Sequence, residues 1–174
     1  MKCFIQYILM GATIIPSDNT IGISLYYTRN PGLGGRIRQQ IEDFVVEELT
    51  NRVETTNGKY LIVELTKKNW DIHHLVRDLA RILRISQNRF GWAGTKDKRA
   101  ITKQKISVWD MGEEDIGRVR LRDVELKAIG RSNKKISLGD LWGNRFKIAV
   151  RNIELSQEET LVRVKTITQE LLRG

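Results

Sequence analysis

Between residues 59 and 66 apolar side chains return at every second position, Leu61, Val63 and Leu65, a period that predicts a strand with one buried face, ended by Lys67 and Lys68. From Asp71 the period lengthens. Ile72, Leu75, Val76, Leu79, Ile82 and Leu83 recur at helical spacing, with His73, Arg77, Asp78, Arg81 and Arg84 on the other faces. Asp71 is placed to cap that helix by accepting from an early free amide, and the arginines near its end complement the helix dipole. His73 and His74 are neighbours and point about 100° apart on a helix, which suits two surface residues better than a joint metal site.

Shorter runs of strand formers occupy 21–27, 35–40, 43–49, 90–93, 103–108, 124–129 and 145–151, the last alternating Phe146, Ile148 and Val150 against Arg145, Lys147, Ala149 and Arg151. Glycines in the run Pro31-Gly32-Leu33-Gly34-Gly35 mark a turn; the Gly-Lys-Ser/Thr ending of a phosphate-binding loop is missing. Residues 113–122 read as a short helix or a turn. Ser156-Gln157-Glu158-Glu159 is a capping box opening a final helix whose apolar stripe is Leu161, Val164, Leu171 and Leu172. Strands and helices in this order, joined by short connections, predict an α+β fold with a mixed, largely antiparallel sheet and flanking helices.

The 174 residues suffice for one domain of ordinary size, taken as 16–174, with 1–15 an extension of unknown role. With 30 Lys and Arg against 21 Asp and Glu, the net charge is +9, which favours a polyanionic partner, nucleic acid ahead of an acidic membrane surface. The single cysteine, Cys3, has no internal disulfide partner and no zinc-ligand companions, so no metal is expected and a cytoplasmic location fits best. The apolar run 3–15 is broken by Gln6 and is shorter than the roughly 20 residues a membrane-spanning helix needs, so no membrane partner is expected.

The densest chemistry lies in Gly94-Thr95-Lys96-Asp97-Lys98-Arg99-Ala100, continued by Thr102 and Gln104, where one carboxylate sits among three cations after a short apolar strand. Neighbouring positive charge favours the ionised form that a nucleophile requires. The plainer reading is a solvated turn with mutually satisfied charges.

This run resembles the signature loop of the TruD family of tRNA pseudouridine synthases. Ile41-Glu42-Asp43-Phe44-Val45-Val46-Glu47-Glu48 is similar to the family's Glu-Asp-Phe-x-Val-x-Glu motif, and Gly143-Asn144-Arg145-Phe146-Lys147-Ile148 to its Gly-Asn-x-Phe motif. The likeness covers roughly residues 20–155, with its start most like archaeal members. It implies that Asp97 is the catalytic nucleophile, Phe146 the aromatic that stacks on the target base, Asn144 a polar residue orienting loop or nucleotide, and Phe44 a wall of the pocket. Arg38 falls where the family has a basic active-site residue, able to bind phosphate or hold the Asp97 carboxylate. Without the resemblance, Phe44 and Phe146 could equally be core and Asn144 a turn residue.

The implied reaction isomerises uridine to pseudouridine in tRNA, at uridine 13 by the family's name, without a cofactor. Lys67, Lys68, Lys96, Lys98, Arg99, Lys103 and the connector 131–135 are candidates for gripping phosphates. Family members are much longer, so the resemblance implies the N-terminal part of a catalytic domain, lacking its later segments and insertion domain, with weak or absent activity alone or a second polypeptide completing the cleft. The alternatives are one part of a split enzyme, a non-catalytic RNA-binding module and a basic ribosome-associated protein.

Overall fold

The structure, a computed structural model, describes residues 27, 28 and 30–173. The extension 1–15 and nearly all of the strand expected over 21–27 lie outside them. Arg38–Ala149 form one compact unit, and the described residues among Ile5–Ile37 and Val150–Gly174 form a second.

The first unit is a six-stranded sheet with helices. Its elements are β1 (Phe44–Leu49), β2 (Tyr60–Lys68), α1 (Ile72–Leu83), β3 (Phe90–Trp92), β4 (Ile101–Trp109), α2 (Glu113–Arg118), β5 (Val124–Ser132) and β6 (Gly143–Ile148). Strand order is β5-β2-β4-β1-β6, with β3 paired to β4 off that path. Among the described strands only β1 and β4 run parallel; β2 with β4, β2 with β5, β1 with β6 and β3 with β4 are antiparallel. This is the α+β, mixed and largely antiparallel sheet that the pattern predicts. One edge of β4 is shared: Ile101–Lys103 face β1, and Ile106–Val108 face β3.

Leu61, Val63 and Leu65 project from β2 to one face, as their spacing requires, and meet Ile106 and Val108 of β4. Ile72, Leu75, Val76 and Leu79 of α1 close over them, all at most 1% exposed. Asp71 caps α1 by accepting from the amides of His73 and His74 at 2.9 and 3.1 Å. Both histidines are exposed, and His73 lies edge-to-face on Trp92. On the opposite face Ile62, Ala93 and Ile136 make a smaller core. Gly91 is required there, because a Cβ would run into the Ile136 carbonyl.

Three expectations change. Lys67 and Lys68 do not end β2 but complete it, since the ladder to β4 continues as far as Ile101. Residues 35–40 are not a strand: Arg36 makes an isolated bridge to Arg151, and Arg38 turns into the left-handed region at φ 56°. A 3-10 turn, Ile41–Asp43, follows, with the Gln40 amide donating to the Asp43 carboxylate at 2.9 Å. The strand expected over 145–151 stops at Ile148, and Val150 belongs to the second unit.

In that second unit Gly34 and Gly35 both take positive φ, as the turn requires, and a Cβ on Gly35 would lie 2.7 Å from the Arg151 carbonyl oxygen. The capping box forms, Ser156 Oγ accepting from the Glu159 amide at 3.2 Å while the Ser156 amide donates to the Glu159 carboxylate at 3.1 Å. It opens α3 (Gln157–Arg173), whose buried residue is Ile167; Leu161, Val164 and Leu172 of the expected stripe are exposed.

Candidate active site

Alternation along β1 sends Phe44, Val46 and Glu48 to one face and buries all three. The antiparallel register with β6 sets Phe146 opposite Val46 and Asn144 opposite Glu48; the parallel register with β4 sets Thr102 beside Val46. Phe44, Val46, Ala100 and Phe146 pack together, with the two phenylalanine rings edge-to-face at 6.0 Å. The Glu-Asp-Phe and Gly-Asn-x-Phe segments, about a hundred residues apart in sequence, are thereby joined in one aromatic corner.

The loop 94–100 is anchored from two sides. Lys96 donates to Glu48 at 2.8 Å in a pair with side chains only 4% and 2% exposed. Lys67, fully buried, reaches the Asp97 carbonyl oxygen at 3.0 Å and that of Trp70 at 2.7 Å. The loop then turns tightly, the Ala100 amide donating to the Lys98 carbonyl. These anchors leave the Asp97 carboxylate at the surface, where the Arg38 guanidinium donates to Oδ1 at 2.6 Å. The same guanidinium lies 3.9 Å from the centre of the Phe44 ring. Both side chains of the pair remain more than a third exposed, so the contact serves orientation more than stability.

Burial of Lys67 pushes its pKa down to about 8, against the opposing pull of Asp71 and Asp97. Among the described residues, four buried side-chain atoms have no hydrogen-bond partner: Arg38 Nε, Thr102 Oγ1, Gln104 Oε1 and Asn144 Oδ1. Each such atom costs about 1–3 kcal/mol when left unpaired. All four belong to residues of this corner or of the strand beside it.

Arg38, Phe44, Asp97 and Phe146 are thus brought together, with Asn144 one pair further along β6. Lys98 and Arg99 are exposed beside Asp97. Lys96 and Lys67 point inward and are engaged by protein groups, so their ammoniums are not turned toward solvent phosphate. Lys68 and Lys103 are paired with Glu42 and Glu64. The cation holding Asp97 is Arg38, not a neighbour in its own loop. Glu48 and the anchoring role of Lys67 escape local reading, although both are in phase with buried alternating positions, a detectable signal for a buried charge. Among the described residues no three His, Cys, Asp or Glu side chains converge, and no helix is long and apolar enough to cross a membrane. Two surface cavities of about 470 and 380 Å³ lie around α2 and contain none of the site residues.

Residues 20–174 match the family model described as tRNA pseudouridine synthase D (TruD). A Methanosarcina mazei protein named "Probable tRNA pseudouridine synthase D" is 59% identical over 155 residues, 89% of this chain and 35% of the relative. One of the same name from Methanococcoides burtonii is 60% identical over 154 residues, 88% of this chain and 35% of its own length. The crystal structure of a Methanosarcina mazei protein carrying the same family name superposes with a TM-score of 0.88 at 57% identity, covering 92% of this chain and 37% of that one. The chain therefore spans about a third of the length of these relatives. With that sequence match, that superposition and the three motifs gathered around one corner of the sheet, the chain belongs to the tRNA pseudouridine synthase D family.

Proposed function

We propose that this chain carries the nucleophile-bearing part of a tRNA pseudouridine synthase acting on uridine 13, with Asp97 as the nucleophile. The observation that carries this reading is the juxtaposition of the Asp97 carboxylate, held by Arg38 at 2.6 Å, with the Phe44 and Phe146 corner. The target uridine leaves its stack, at a cost of a few kcal/mol, and stacks on Phe146. Asn144, two residues before Phe146 on β6, orients the loop or the nucleotide. The Asp97 oxygen forms a transient bond to the nucleoside, the bond from C1′ to N1 breaks, the base turns, and C1′ joins C5 as the bond to Asp97 is released and its carboxylate regenerated. C5 gives up its proton and N1 regains one, so product and substrate have the same atoms and no external oxidant is consumed. Lys98, Arg99 and the exposed Lys134 grip phosphates and give binding its salt dependence, whereas Arg131, expected in a connector, lies in β5 with its guanidinium on the Gly58 and Met111 carbonyls. Such an enzyme works in the cytoplasm, where its tRNA is.

Because the chain spans about a third of its relatives, two further readings stay in play: a binding module, and one part of a split enzyme. Tritium release from a tRNA transcript labelled at uridine C5 separates them. The wild-type chain is expected to release tritium, slowly when alone. Asp97→Asn is expected to lose release about 1,000-fold or more while binding RNA as before. RNA binding without release by the wild-type chain would support the module or the split enzyme. A transcript with cytidine at position 13 should release nothing if that uridine is the target.

A further inference from the structure

We propose that Lys67 is a positioning residue for the reaction, its ammonium clamping the main chain of Asp97 to the start of α1 so that the carboxylate is presented to Arg38. This inference rests on Asp97 being the nucleophile.

Three observations support the clamp. Lys67 is fully buried, yet its nearest bonded partners are two neutral carbonyl oxygens, of Asp97 at 3.0 Å and of Trp70 at 2.7 Å. Trp70 immediately precedes the cap residue Asp71, so the ammonium ties the loop to one of the most firmly packed elements of the sheet unit. The charged groups that act on it are Asp71 from the head of α1 and Asp97 and Lys96 from the loop. A cation kept where burial depresses its pKa to about 8 is a poor choice for stability alone, since an apolar side chain of similar length could fill the same space. Its position is intelligible if the donors matter. A carbonyl fixed from behind fixes the peptide plane that follows Asp97, and through it the direction of the side chain, at the level of precision that nucleophilic attack demands.

The test compares wild type with Lys67→Met, which keeps length and loses the donors, and Lys67→Gln, whose amide keeps two donor hydrogens. Amide hydrogen exchange reports loop order without reference to activity. Lys67→Met is expected to speed exchange at residues 97–100 about tenfold, leaving the α1 amides unchanged. Single-turnover isomerisation is expected to fall about 100-fold with the Kd for tRNA within about twofold, and Lys67→Gln to recover a substantial part of both. In the wild type, loop protection should weaken as pH rises through the range where Lys67 loses its proton, a step absent from Lys67→Met.

If Lys67→Met fails to fold, Lys67→Gln carries the comparison through the same pH step. Unchanged exchange at 97–100 overturns the clamp, and a loosened loop with an unchanged rate overturns its use in catalysis. Loss of tRNA affinity equal to the loss of rate makes Lys67 a binding residue instead. A wild-type chain that never isomerises uridine, with exchange behaving as expected, defeats the reading of Asp97 and leaves the clamp standing as a structural device.

Discussion

Under α1 the sheet face is closed by Leu61, Val63, Leu65, Ile106 and Val108, and the buried side chains there are apolar. Further along the same β4 strand the face carries Thr102 and Gln104, and beyond them Asn144, each with a buried side-chain oxygen lacking a protein partner, and Glu48, which is paired with Lys96. One half is an apolar core, and the other buries polar side chains, some of them unpaired. Lys67 stands at the boundary, in phase with the apolar positions of β2 but directed at the Asp97 loop. The difference teaches that the two halves should answer differently to mutation: the closed half in stability, the open half in chemistry.

The largest stability change is expected from separating the buried pair at the boundary. Lys96→Met strands the Glu48 carboxylate and should lower unfolding free energy by about 3–5 kcal/mol in urea titrations. Next, Leu75→Ala opens a cavity beneath α1 and should cost about 2–5 kcal/mol, with the surviving folded fraction binding tRNA as before. A Leu75 variant that weakens RNA binding at constant folded fraction would break the division between the halves.

The pH response of Lys67 is intermediate. Its folded pKa of about 8 lies below its ordinary value of 10.5, so between those values the unfolded chain binds more protons than the folded one. Stability therefore rises with pH across that window, by an amount on the order of 3 kcal/mol, and the full penalty of the buried charge is present below pH 8. Subtracting the Lys67→Met curve from the wild-type curve isolates this contribution. A flat difference between pH 8 and 10.5 would mean that the amine is better solvated than its burial indicates.

Smaller effects sharpen the contrast. Phe146→Leu should lose about 1–3 kcal/mol of base stacking, read as slower isomerisation, while its edge-to-face partner Phe44 stays buried and the fold stays stable. Thr102→Val removes a hydroxyl that has no partner and should be neutral or stabilising by about 1 kcal/mol in thermal melts, the reverse of what a finished core would do.

Local sequence periodicity made much of this legible. The strand over 59–66, the helix from Asp71 with its cap, the short strand at 90 and the charged loop after it all emerge where the spacing places them, because period-two and period-3.6 burial are properties of neighbouring residues. The stretch 35–40 misleads for the same reason: its composition suits a strand, but the left-handed turn at Arg38 aims its guanidinium at a carboxylate 59 residues away. Likewise the apolar positions of α3 predict a buried stripe, whereas Ile167 is the residue its packing buries.

What the amino-acid order determined by itself is most of the described elements, the α+β class and the three motifs that carry the family likeness. Only the tertiary structure decided that β1 inserts between β4 and β6, and so which charges meet: Arg38 with Asp97, Lys96 with Glu48, Lys67 with the Asp97 carbonyl. Hydrophobic periodicity specifies which face of a strand is buried but not which strand lies beside it. Pairings across tens of residues are set by sheet order, a property of the whole chain.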